Sequence, residues 1–211
     1  MKEERREKTL NEWVPRTKTG KLVQSGEIKT FDQLYQKNMP VLEHEIIDFL
    51  FPELQENVLD VNMVRRVTDS GRKGSFVVTV AVGDGNGHIG IGTGKALSVR
   101  PGIERAIQKA KLNMAQVIRG CGSWECGCGN THSVPFKVTG KARSVQVTLI
   151  PAPRGTGLVC GETAKVVLRM AGVTDVWCRT EGQTKTTFNF AKATFDALKQ
   201  TRKMRRKSEE K

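Results

Sequence analysis

The chain has 211 residues, with 35 Lys and Arg against 22 Asp and Glu, a formal net charge of +13 and only 6% aromatic residues. That length suits one or two small domains, and so large a cationic excess repels itself, so a polyanion is the expected partner, nucleic acid ahead of an anionic membrane surface. No run approaches the roughly 18 apolar residues that span a bilayer, and Met1-Lys2-Glu3-Glu4-Arg5-Arg6 has no signal-peptide core behind it, which predicts a cytoplasmic protein with no membrane partner.

Residues 1–54 read as an N-terminal extension. Up to about residue 26 it mixes charges of both signs with Pro15, Gly20 and Gly26 and keeps no apolar period. An extended arm or a disordered tail is expected, with Trp13, Val14 and Leu22 as candidates to dock it. Between 30 and 50, Ile46, Ile47, Phe49 and Leu50 follow Glu43 and Glu45 and stop at Pro52, the pattern of an amphipathic helix.

From Val61 the period becomes two. Val61, Met63 and Val67 form one run, Asp69 to Gly74 a turn, and Phe76, Val78, Val80 and Val82 a second run. Asp84-Gly85-Asn86-Gly87 is a strong hairpin signal, and a third strand follows at His88 to Thr93. Pro101 then opens a helix whose apolar positions recur from Ile103 to Ile118, ended by Gly120. Residues 55–119 are therefore expected to form three antiparallel strands closed by one helix.

Residues 134–201 predict a ββαβα unit. Val134–Val138 and Val145–Ile150 flank a turn at Gly140-Lys141-Ala142, and Pro151 to Gly157 makes a rigid loop. Glu162 to Ala171 is helical with Gly172 as its C-cap, Val173–Cys178 is a strand, and Thr187 or Asn189 caps a last helix. Residues 202–211 form a basic tail through Arg202, Lys203, Arg205, Arg206 and Lys207. The fold class is α+β, in two small domains.

Two glycine motifs invite a nucleotide reading. Gly85-Asn86-Gly87-His88-Ile89-Gly90 matches G-x-G-x-x-G, but strand alternation resumes where the fingerprint needs a helix. Gly90 to Lys95 lacks phosphate-loop spacing and has Ala96 where a hydroxyl is required. The glycines are expected instead to let the backbone approach RNA phosphate. The cations Arg65, Arg66, Arg72 and Lys73 crowd the first turn, and Lys95 and Arg100 the start of the long helix, which predicts either an RNA face or an ordinary solvated surface.

Cys121-x4-Cys126-x-Cys128-x3-His132 places four soft ligands within the 120–133 linker among Gly120, Gly122, Gly127 and Gly129. Tetrahedral zinc in a structural role competes here with free thiols in a glycine-rich linker, since the one-residue gap is tighter than the usual two to four. Cys160 and Cys178 read as small buried residues. The only histidines, His44, His88 and His132, lie in no nucleophile motif, so no catalytic constellation emerges.

Gly83 to Gly92 and Leu149-Ile150-Pro151-Ala152-Pro153-Arg154-Gly155-Thr156-Gly157, with Met170 to Val173 and Asn189 to Thr194, resemble the small-subunit ribosomal protein S-five family over roughly Leu59 to Thr201. The segment 30–56 and Leu149-Ile150-Pro151-Ala152-Pro153-Arg154 are similar to its archaeal and eukaryotic branch, and the cysteines to an archaeal member. The resemblance implies a double-stranded-RNA-binding-like first domain and a second domain of the S-five domain-two type. It also implies binding to small-subunit rRNA, support of subunit assembly and translational accuracy, neighbours in ribosomal proteins S-four and S-eight, and a place where messenger RNA enters. It assigns rRNA contact to the basic turn and to the hairpin Asp84 to His88, with Asn86 and His88, and the second-domain signature to the loop that carries Arg154. Relatives without the cysteines keep a histidine matching His132, which gives that residue a second candidate role. The rival readings are a non-ribosomal RNA chaperone or translational regulator of the same fold, and a kinase-like or zinc-dependent enzyme.

Overall fold

The computed structural model describes residues 13–203; the first twelve residues of the arm and the basic tail from residue 204 lie outside it. Where an extended arm or disordered tail was expected, the chain forms α1 (Lys18–Gln24), whose N-cap Thr17 accepts a hydrogen bond from the Gly20 N–H at 3.1 Å. The Glu43 carboxylate holds this entrance by accepting from the backbone N–H of Thr17 (2.7 Å) and Arg16 (3.0 Å) and from Trp13 Nε1 (2.9 Å). Burial opposes its ionisation, but these bonds outweigh burial and keep its carboxyl below the usual range. The single helix expected between 30 and 50 is two, α2 (Phe31–Gln36) and α3 (Glu45–Leu50), because Asn38 turns to φ 51° and Pro40 follows it.

β1 (Gln55–Thr68) and β2 (Gly71–Gly83) make a long antiparallel hairpin whose far end stands in solvent on both faces. Its turn is only Asp69-Ser70, since pairing resumes at Gly71 opposite Thr68. β3 (His88–Ala96) pairs with β2, and β4 (Ala115–Gln116) closes a sheet in the order β1-β2-β3-β4. The long helix, α4 (Val99–Leu112), stops well before Gly120. Asn113 bonds through its side chain to the Ile91 carbonyl at 3.0 Å, and the apolar residues that continued the helical period, Met114 and Val117, reach the core from extended backbone.

The second sheet has the order β5-β6-β8-β7, with β5 Val138–Ala142, β6 Val145–Pro151, β7 Leu158–Val159 and β8 Val176–Glu181. Two helices, α5 (Glu162–Met170) and α6 (Thr187–Gln200), cover it. α5 ends in a Schellman motif: Gly172 N–H donates to Arg169 O and Val173 N–H to Leu168 O, with Gly172 at φ 74°. The added strand β7 lies parallel to β8.

Glycines on alternate residues of β3 set how close the layers come. Side chains at Gly90, Gly92 and Gly94 would point into the backbone of α4, where an added Cβ would lie 2.1 Å from Ala110 O, 2.3 Å from Ala106 O and 2.2 Å from Gly102 O. The intervening Ile89 and Ile91 point the other way, into a core shared with the second domain. These glycines are thus buried under a helix, which corrects the expectation that they admit an RNA phosphate. Gly140 repeats the device inside β5, where an added Cβ would lie 2.2 Å from Ala193 O and Ala197 N of α6, and the expected turn there moves to Arg143-Ser144, with Arg143 at φ 57°. The other face of the first sheet, through Val78, Val80 and Val82, packs with α4 and with Val23, Ile28, Phe31, Leu34, Ile46 and Ile47 of the extension.

Candidate functional site

Residues 120–133 form a loop closed at its neck, where Gly120 and Ser133 exchange backbone hydrogen bonds of 2.8 and 2.9 Å. Gly122 lies tight against this neck, since an added Cβ would be 2.1 Å from Pro135 O. Inside the loop the ligand atoms of Cys121, Cys126, Cys128 and His132 all lie within 4.8 Å of one another. Cys126 Sγ is 3.2 Å from Cys128 Sγ and 3.8 Å from His132 Nε2, and Cys128 Sγ is 3.7 Å from Cys121 Sγ. Sulfurs bound tetrahedrally at about 2.3 Å from one zinc stand about 3.8 Å apart, so these separations suit one ion.

Two features outside the quartet strengthen that fit. His132 Nδ1 is 2.8 Å from Asp175 Oδ2, which orients the ring and leaves Nε2 turned to the sulfurs, the carboxylate–histidine arrangement found behind metal ligands. The other oxygen of Asp175 accepts from the N–H groups of Gly155 (3.1 Å) and Gly157 (2.8 Å), so one carboxylate couples the cysteine loop to the Pro151–Gly157 loop. Burial opposes the charge on Asp175, yet the Gly157, Thr174 and His132 bonds outweigh it and hold its carboxyl below the usual value. The backbone N–H groups of Arg154 and Cys128 pull the Cys126 thiol down to about 6, while burial and the adjoining sulfurs push Cys121 up. Asp175 had no sequence signal, standing 43 residues beyond His132. Cys160 and Cys178 are only partly buried beside the core; burial and neighbouring Cys160 push the Cys178 thiol to about 12, leaving it an inert packing residue.

Arg65, Arg66, Arg72 and Lys73 are all exposed on the projecting part of the hairpin, with Arg66 opposite Lys73 and Val67 opposite Arg72. Lys95 is the penultimate residue of β3 and Arg100 lies in the first turn of α4, its side chain 79% exposed. Both sit at the end of the sheet from which the hairpin projects, because Ala96 pairs with Phe76. The structure adds Arg105, whose guanidinium donates to the Lys95 carbonyl at 2.9 Å.

The remaining predicted contacts lie elsewhere. Asn86 is exposed in the loop at the opposite end of β3, and Arg154 is exposed beside the cysteine cluster. His88 is turned largely inward, its side chain 16% exposed. Its ring packs on Phe31 and Phe51, with centroids 5.4 and 4.7 Å away, and its Nδ1 is 2.7 Å from Asp84 Oδ2. The Asp84 carboxylate also accepts from the backbone N–H of Asn86 (2.7 Å) and His88 (3.0 Å), so this loop is built around an internal carboxylate. Its glycines serve the domain junction: Gly85 N–H donates to Met170 O, and Arg119 bridges Gly85 O and Gly172 O.

Among the described residues no helix is long and apolar enough to cross a membrane. The family model described as Ribosomal protein S5, N-terminal domain, matches residues 54–118, and that described as Ribosomal protein S5, C-terminal domain, matches 140–211. The Small ribosomal subunit protein uS5 of Ignicoccus hospitalis is 57% identical over 195 residues, covering 92% of each chain. The uS5 proteins of Methanothrix thermoacetophila and Aeropyrum pernix are each 54% identical, covering 90% and 91% of this chain and 94% and 88% of their own. With both halves matched in order and such identity sustained along nearly the whole length, the chain belongs to the ribosomal protein S5 family, in its archaeal type, a family of structural proteins and not of enzymes.

Proposed function

We propose that this protein, as a structural constituent of the small ribosomal subunit, binds small-subunit rRNA chiefly through the projecting hairpin, with Arg65, Arg66, Arg72 and Lys73 neutralising phosphates. Lys95 and Arg100 extend that surface, and Asn86 and Arg154 make separate contacts. What carries the reading is the hairpin itself: four exposed cations on two strands that reach beyond the packed layers. A rigid ribbon of that kind tracks a phosphate backbone with no chemistry to perform. The family resemblance supports contacts with ribosomal proteins S-four and S-eight, a position where messenger RNA enters, and a part in assembly and translational accuracy in the cytoplasm.

The wild type is expected to co-sediment with small subunits in high salt, which separates it from a free RNA chaperone. Its affinity for transcribed small-subunit rRNA should fall steeply with salt. Changing the four hairpin cations to Gln should reduce the slope of log affinity against log salt by about 3.6, at roughly 0.9 per phosphate released. An unchanged slope would remove the hairpin from the interface.

The Cys121, Cys126, Cys128 and His132 cluster is read as a structural zinc site, supported by ligand spacing and by the Asp175 bond behind His132. Four protein ligands leave no position for an activated water, so the ion would clamp the linker against the second domain. Metal analysis of the purified chain should find one zinc per molecule, lost in Cys126→Ser. Chelation should lower the Tm by about 5–10 °C. Protein purified without stoichiometric metal, and indifferent to chelators, would mean free thiols.

A further inference from the structure

Between the two domains lies a cleft of about 370 Å³ bounded by β3, the end of α4 and one face of α6. That volume falls in the range of pockets that hold small ligands, about 300–1,000 Å³. Its floor is apolar, Ile91 and Phe195 both being buried. Three lysines from two different elements converge on it: Lys109 from α4, and Lys192 and Lys199 from α6. Lys199 Nζ stands 4.4 Å from the Phe195 ring centroid and donates to Asn113 Oδ1 across the domain boundary at 3.4 Å. Lys192 Nζ stands 6.0 Å from the ring centroid of Phe188, which is only partly buried and forms one wall.

The charges in the cleft are unbalanced. Its one carboxylate, Asp196, accepts from the Lys141 backbone N–H (3.2 Å) and from the Gln200 side chain (3.4 Å), and three lysines line the same cleft. Partial burial, with the like charge of Lys192, lowers the Lys199 ammonium below its ordinary range despite Asp196 nearby. Ammonium groups gathered around one aromatic-lined cleft are what a bridging phosphate neutralises. The aromatic wall and apolar floor ask for more than an ion, and a planar base satisfies them.

We infer that this cleft seats one extruded nucleotide of folded RNA, its phosphate among Lys109, Lys192 and Lys199 and its base against Phe188. The inference rests on the RNA-binding reading above, but it names a surface at the boundary between the two domains and shares no residue with the hairpin. Folded RNA presents such unstacked nucleotides at bulges and loop ends, where stacking on an aromatic side chain is the usual mode of capture.

The test uses the full chain and transcribed archaeal small-subunit rRNA, with affinity measured across a salt series. The triple variant K109Q/K192Q/K199Q changes only exposed positions and should reduce the salt slope by about 1 for each phosphate engaged. Phe188→Leu keeps an apolar wall without its π-face and should weaken binding about tenfold with the slope unchanged. Wild-type slope and affinity in both variants, alongside a loss in the hairpin variant, would overturn the cleft while leaving the hairpin reading intact. A wild type that ignores rRNA at low salt would overturn both. Competition by polyglutamate that depends on the three lysines and not on Phe188 would assign the cleft to an acidic protein segment and overturn the nucleotide proposal.

Discussion

Gly92→Val should lower the unfolding midpoint of the protein far below that of the wild type. An added Cβ at this position would stand 2.3 Å from both Ala106 O and Ala110 N and 2.9 Å from Ala110 Cα. All three are backbone atoms of α4, so no side chain can swing aside to make room. The helix must lift from β3 by more than an ångström, and lifting it opens gaps beside Val78, Val80, Ala106 and Ala110, which the present packing buries fully. Overpacking of side chains costs about 1–3 kcal/mol, and a backbone clash with two further methyl groups lies at or beyond the upper end. Against a total stability of about 5–15 kcal/mol for a domain, that loss removes a large share of the margin. Gly127→Ala is the matched control, because an added Cβ there meets nothing within 4 Å, and its effect should stay within about 0.5 kcal/mol. Denaturant unfolding of both variants decides the matter: a Gly92→Val midpoint equal to that of the control would show that α4 does not rest on the glycine stripe.

Asp48→Ala is expected to cost about 3 kcal/mol or more and to release the N-terminal extension from the first domain. Lys111 Nζ lies 2.7 and 2.9 Å from the two oxygens of Asp48, and the two side chains are only 11% and 14% exposed. Removing the carboxylate strands an ammonium group in the seam between α3 and α4, where water reaches it poorly. The double variant Asp48→Leu/Lys111→Met should recover most of the stability, because it removes both charges and keeps the volume apolar. Limited proteolysis supplies the second readout, with cleavage between residues 25 and 45 expected in the single variant and suppressed in the double. If Asp48→Ala unfolds at the wild-type midpoint and resists protease equally, the ion pair is a surface ornament and the extension is held by its apolar residues alone. Those residues, Val23, Ile28, Phe31 and Leu34, are nearly inaccessible, so the pair is expected to add to a contact that is already substantial.

The amino-acid sequence by itself determined the local elements. Alternation from Phe76 to Val82, the helical spacing from Ile103 to Ala110, and Gly172 at the end of a helix each state a dihedral preference and a buried face, and the structure has β2, α4 and a Schellman cap at those places. The Cys121, Cys126, Cys128 and His132 cluster, which could hold a metal ion, was legible for the same reason, since its four residues fall within a stretch of twelve and its glycines let that short loop close on itself. Tertiary structure alone decided which residue stands behind another. Period and turn chemistry are silent about contacts between distant segments, so Asp175 behind His132 and the lysines that meet across the domain boundary left no trace. The arm around Val23 and Ile28 looked free because its few apolar residues keep no period, yet each fills a place on α4 and β2 that exists only once those elements have packed. Glycine misled in the same way: a residue with no side chain records that something comes close, and only the folded chain shows that α4 lies over Gly92 and α6 over Gly140 where RNA or a turn was expected.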